Sequence, residues 1–176
     1  MARHFKTSAS AAVLMTSLMG GQSLAADLSL TLTLPKIDTA EYHRPYVAVW
    51  LEGDGRKVVR DIAVWYENKK ADGEGKKWLK DLRQWWRISG RNQTEPADGV
   101  TGATQPVGTH TITVAGSSAA LKDLPAGQYE VVVEAAREKG GRELIRLPLA
   151  WPPASAVSEK RSGQHELGAV ELKATP

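Results

Sequence analysis

The chain contains no cysteine. That excludes structural disulfides, iron–sulfur ligation and thioether-linked haem, so the fold rests on packing and any redox cofactor must be held by another bond. His43, His110 and His165 are far apart and form no His-x-His pair, which with the missing thiolates removes the common donor sets for a metal. No nucleophile elbow, phosphate-binding glycine loop or paired-carboxylate signature occurs, so no catalytic residue is assigned. An excess of one charge is also missing. The formal charge is +3, and without Arg3 and Lys6 at the N-terminus 21 basic residues face 20 acidic ones. Such a balance argues against nucleic acid as a partner.

Long hydrophobic runs are absent as well. The one mostly apolar run, "SASAAVLMTSLMGG", is too short and too weakly apolar for a membrane span. It follows Arg3, His4 and Lys6 and precedes "QSLAAD", with small Ser23 and Ala25 before a cleavage point. This is the layout of a secretory signal peptide over residues 1–25, without a twin arginine or a lipoprotein cysteine. The expected mature protein, residues 26–176, is one domain, exported and not membrane-spanning once the leader is removed.

Strand patterns fill that domain. "DLSLTLTLP" alternates, with Leu28, Leu30, Leu32 and Leu34 on one face. "PYVAVWLE" is apolar on both faces and reads as a central strand, joined through Asp54-Gly55 to "VVRDIAVWYE" as a hairpin. "THTITVAG" alternates again, and "GQYEVVVEAARE" and "RELIRLPLAW" form a hairpin across Lys139-Gly140-Gly141. Pro148 places the latter strand at an edge. "SAVSEKRS" reads as a polar loop before a last strand in "GQHELGAVELK". About seven strands with turns between them predict an all-β, immunoglobulin-like β-sandwich. "LPAGQYEVVV" resembles the turn and strand of many extracytoplasmic sandwich modules, which bears on fold and not on activity.

One segment breaks the pattern. In "GKKWLKDLRQWWRISG", Trp78, Leu82 and Trp86 recur every four residues, and Gly90 stands where a C-cap glycine would. The spacing predicts one short amphipathic helix around 76–90, roughly 20 Å long, inserted into the sandwich. Trp78 shares the apolar stripe with Leu82 and is expected in the core, as are Trp50 and Trp65, while Trp151 ends a strand before Pro152. Adjacent Trp85 and Trp86 cannot both face inward, so one of them is a candidate platform for a flat ring. Lys76, Lys77, Lys80, Arg83 and Arg87 read first as a solvated face, or alternatively as attraction for phosphate or an acidic partner.

Directly after this segment, residues 98–106 read "DGVTGATQP". The run Asp98, Gly99, Val100, Thr101, Gly102, Ala103, Thr104 resembles the flavin-attachment signature of the FMN-binding subunits of sodium-pumping and ferredoxin-linked respiratory complexes. In that family the last threonine is esterified to the phosphate of FMN by an exported flavin transferase. The resemblance implies Thr104 as the attachment point, with Asp98, Thr101, Gly102 and Ala103 at the positions the transferase recognises. The residue chemistry is compatible with this. A hydroxyl that must enter another active site needs a narrow, flexible backbone, which Gly99, Gly102 and Ala103 supply. An unactivated threonine needs a base and metal from elsewhere, so this chain would be substrate in that step rather than enzyme.

The chain as a whole also resembles a family of small exported proteins of unknown function, through "VAVWLE", "KWLKDLRQWWR", "DGVTGATQP" and "LPAGQYEVVVEAARE". Their genes tend to lie beside the flavin transferase and a PepSY-type membrane oxidoreductase. The resemblance implies an exported electron carrier with covalent FMN on Thr104, working between a membrane reductase and a periplasmic acceptor. The alternative from a different class is a non-catalytic immunoglobulin-like binding or assembly module without flavin. The respiratory FMN-binding domains match at the motif alone, so their mixed α/β arrangement is not expected.

Overall fold

A computed structural model of the chain describes residues 26–53, 55, 59–94 and 99–176. The expected leader, most of the Asp54-Gly55 turn and Asp98 lie outside the described residues. Nine strands occur among those described: β1 Asp27–Leu34, β2 Tyr46–Gly53, β3 Val59–Tyr66, β4 Thr101–Ala103, β5 Gly108–Val114, β6 Gly127–Ala136, β7 Arg142–Trp151, β8 Val157–Ser162 and β9 Ala169–Thr175. They form a four-stranded sheet in the order β5-β1-β9-β8 and a five-stranded sheet in the order β4-β3-β2-β6-β7. All pairings are antiparallel except β3 with β4.

The fold is the expected all-β sandwich. β1 and β5 pair in one sheet while the β2–β3 and β6–β7 hairpins share the other, as B/E and C–C′/F–G do in an immunoglobulin domain. The place beside β1 that strand A would take is filled by the C-terminal strand β9. Leu28, Leu30, Leu32 and Leu34 of β1 meet Val47, Val49 and Leu51 of β2, Val131 and Val133 of β6, and Val170 and Leu172 of β9 in the inter-sheet core. β7 is an edge strand, so Pro148 interrupts no ladder on its free side.

β2 is buried on both faces because the five-stranded sheet is covered on its outside too. Tyr46, Ala48, Trp50, Val64, Tyr66 and Val132 form a second apolar layer under Leu79, Leu82 and Trp85 of the insertion. Trp50 belongs to this outer layer and not to the inter-sheet core, whereas Trp65 lies in the latter.

The single helix expected around 76–90 is three pieces: a 3₁₀ segment over Ala71–Asp81, the six-residue helix α1 over Arg83–Ile88, and a 3₁₀ turn over Gly90–Asn92. Leu82 breaks the path with φ −74° and ψ 69°. The carboxylate of Glu134, fully buried on β6, then accepts the N–H groups of Gln84 and Trp85 and starts α1 afresh. Leu79 from the 3₁₀ segment, Leu82 at the break and Trp85 from α1 share the covered face. Trp78 falls off that face and is 40% exposed, contrary to the stripe read at four-residue spacing. Gly90 caps no helix. It passes over Trp85, whose ring atoms would lie 2.5 Å from a Cβ there.

Two further elements differ from expectation. The "SAVSEKRS" stretch contains β8, an edge strand exposed over most of its length, whose lack of alternation hid it. The motif loop contains β4, a three-residue strand.

Candidate functional site

The Gly99–Pro106 segment is held along the free edge of β3. Gly99 takes φ +81°, a conformation that costs glycine little. The Val64 N–H donates to the Val100 carbonyl at 2.8 Å, and Val64, Trp65 and Tyr66 then pair in parallel with Thr101, Gly102 and Ala103. The Thr104 N–H donates to the Tyr66 carbonyl at 3.2 Å. Gln105 Nε2 donates back to the Ala103 carbonyl at 2.9 Å, and His110 Nε2 bonds the Pro106 carbonyl at 2.7 Å. The segment is thus stapled at both ends.

Gly102 has a packing reason to be glycine. A Cβ there would sit 2.9 Å from Cδ1 of Trp65, whose indole packs edge-on against His110 at 5.8 Å. Trp65 looked like plain core in the sequence; in the structure it is also the surface that β4 lies on.

Thr104 is half-buried and opens with Ala103 onto a depression of about 400 Å³, lined further by Arg44, Glu67, Asn68, Lys69 and Lys70. Arg44, Lys69 and Lys70 are exposed. Glu67 takes the Lys70 ammonium, and that hydrogen bond holds the Lys70 pKa above its ordinary value. Among the lining residues three cations face one carboxylate, Glu67, and Glu138 and Glu74 also act on Lys70. These residues were not singled out in the sequence, because Arg44 precedes β2 and the lysines follow β3.

The two tryptophans proposed as ring platforms sit elsewhere. Trp85 is fully buried, and its Nε1 donates to Asp61 Oδ1 at 3.0 Å. Asp61 also accepts from Ser89 Oγ at 2.7 Å and Gln93 Nε2 at 2.6 Å, which closes that end of the insertion. Trp86 is half-buried, with its ring centroid 6.3 Å from that of Trp85. β3 runs from Asp61 to Tyr66 between the Trp85 indole nitrogen and the Thr104 amide, roughly 16 Å of strand. The Trp85 indole nitrogen is thus a strand length from Thr104, and Trp86 packs with Val100 of the motif against the outer apolar layer. Trp78 lines a second depression with His43, Arg44, Tyr46, Glu67, Asp81, Ala136 and Glu138, which shares Arg44 and Glu67 with the first.

A larger cleft, about 730 Å³, opens where the edges of the two sheets part. Ile62, Ala63 and Trp65 of β3 form one wall, Thr111–Val114 of β5 the other, and Gly99, Val100 and Thr101 the rim. Asp61, Ser89 and Gln93 make its polar end.

These features define a β-sandwich whose motif segment is a short edge strand ending at a threonine in a cationic depression. The chain belongs to a family described as predicted periplasmic protein (DUF2271), whose model matches residues 27–169, from β1 into β9. The family assignment places the protein in the periplasm, and no helix among the described residues is long and apolar enough to cross a membrane. No match was found among curated proteins or among solved structures.

Proposed function

We propose that the protein is a periplasmic flavoprotein that carries FMN on Thr104 through a phosphoester and passes electrons between a PepSY-type membrane oxidoreductase and a periplasmic acceptor. The observation that carries the reading is the coincidence of the Gly99–Thr104 motif with a positively charged seat. The threonine that the motif marks for a phosphoester lies in a depression edged by Arg44, Lys69 and Lys70. A phosphodiester keeps one negative charge, and cations at its rim offset it.

The residues present fit such a group. Thr104 follows β4, and both its carbonyl-bound amide and the Gly102–Trp65 packing fix the strand that presents it. In the attachment step the threonine Oγ bonds to phosphorus, and a phosphoanhydride of a flavin dinucleotide breaks. A nucleoside monophosphate leaves, and the hydroxyl proton goes to a base of the flavin transferase. Bound FMN would supply reversible electron uptake. This chain would hold the phosphate with Arg44, Lys69 and Lys70 and keep the motif on the β3 edge.

The inter-sheet cleft favours a second reading, a binding module without flavin whose ligand enters between β3 and β5. The two separate on co-production with a flavin transferase, followed by intact mass and in-gel flavin fluorescence. The first reading expects an FMN-sized adduct that disappears in Thr104→Ala. An unmodified chain, beside a control acceptor that is flavinylated, would support the second.

A further inference from the structure

Trp78 is the most exposed of the six tryptophans and one of three large apolar side chains left in solvent among the described residues. A single exposed indole is ordinary on a protein surface. Its placement here is not ordinary, because it and Thr104 are fixed to the same short piece of backbone. Thr104 is bonded to the Tyr66 carbonyl. The next residue, Glu67, packs so closely on Gly75 that a Cβ there would lie 2.1 Å from the Glu67 carbonyl oxygen. The Tyr46 hydroxyl closes the junction, donating to the Gly75 carbonyl at 3.0 Å and lying 3.3 Å from Glu67 Oε2. Three residues beyond Gly75, the 3₁₀ segment delivers Trp78 into the depression that adjoins the one at Thr104.

We infer that the Trp78 indole is the stacking platform for the isoalloxazine ring tethered at Thr104, an inference that rests on the reading proposed above. The phosphate end of the cofactor lies among Arg44, Lys69 and Lys70, and Arg44 borders both depressions. The ring end then lies toward the Trp78 indole, which is 40% exposed and stands beside the carboxylates of Glu67, Asp81 and Glu138. Flat aromatic systems stack offset on indole, which offers area without a matching pocket. Trp85 offers no exposed face for this. The competing seat is the inter-sheet cleft, where Trp65 would be the neighbouring indole.

The test uses the flavinylated full-length protein, with adduct load fixed by intact mass and flavin emission measured per adduct before and after unfolding. An indole in contact quenches flavin emission, so the native parent should be dim and should brighten on unfolding. Trp78→Ala should raise native emission several-fold at equal adduct load and an unchanged thermal midpoint, while Trp65→Phe stays dim. Equal emission from the parent and Trp78→Ala would overturn the inference, as would brightening confined to Trp65→Phe, which would put the ring in the cleft. If the parent carries no adduct at all, the attachment reading fails and this inference falls with it. An adduct with unchanged emission removes the platform alone.

Discussion

Replacing Gly102 by alanine separates what the fold needs at the motif from what a modifying enzyme needs. The added Cβ would lie 2.9 Å from Trp65 Cδ1 and 3.3 Å from its Nε1. Carbon contacts are comfortable at about 3.5–4.0 Å, so the overlap is at least about half an ångström. Trp65 cannot easily retreat, since it is 9% exposed within the inter-sheet core and braced against His110. Overpacking of this kind costs about 1–3 kcal/mol. Alanine returns about 0.4–1 kcal/mol by restricting the unfolded chain. The expected net loss is centred at about 1 kcal/mol and is at most about 2.6 kcal/mol, read as a lower urea midpoint at constant slope. Protection of the Val64 and Thr104 amides against hydrogen exchange should fall with it, because their bonds to Val100 and Tyr66 hold β4 in place. In a Trp65→Leu background the same substitution should cost less, with a coupling of at least about 0.5 kcal/mol. A Gly102→Ala protein as stable as the parent, with both amides equally protected, would refute the packing argument and leave enzyme recognition as the reason for this glycine.

The two faces of the insertion should differ sharply on truncation: Trp85→Ala should lose about 3–5 kcal/mol, whereas Trp78→Ala should stay within about 0.5 kcal/mol, both measured by chemical unfolding. The acid limb of stability should depend on Glu143. Burial alone would raise its pKa, but backbone N–H groups of Gln164, Leu167, His165 and Glu166 together outweigh this and hold it below the ordinary glutamate value. A depressed folded-state pKa means stability that is present above the unfolded value and lost as pH falls through the folded one. Glu143→Gln should therefore flatten stability against pH below about 4.5, and an unchanged slope there would count against the loop clamp.

The sandwich was legible because its strands are written in two-residue alternation. Leu28 to Leu34, and Val131 with Val133, face inward as their spacing requires. β2 announced burial on both faces through "YVAVWL", although the cover on its outer side could be identified only from the fold. The insertion was misread because the four-residue spacing of Trp78, Leu82 and Trp86 imitates an α-helix. The residue that starts α1 afresh after the break at Leu82, Glu134, lies 50 residues further along the chain from Gln84. β8 carries no apolar face to detect, and β4 is three residues long. The motif itself needed no structure to be seen. Its cationic seat did, because Arg44, Lys69 and Lys70 come from loops on either side of the β2–β3 hairpin.

The central claim concerns one oxygen atom. Trypsin should release residues 92–122 of the flavinylated protein as a single peptide, bounded by Arg91 and Lys122 and containing the whole motif. Fragmentation of that peptide should place an FMN-phosphoryl mass on Thr104, with Thr94, Thr101, Thr109, Thr111 and Thr113 unmodified. An unmodified peptide from protein produced beside an active transferase, or an adduct placed on Thr101, would contradict the assignment.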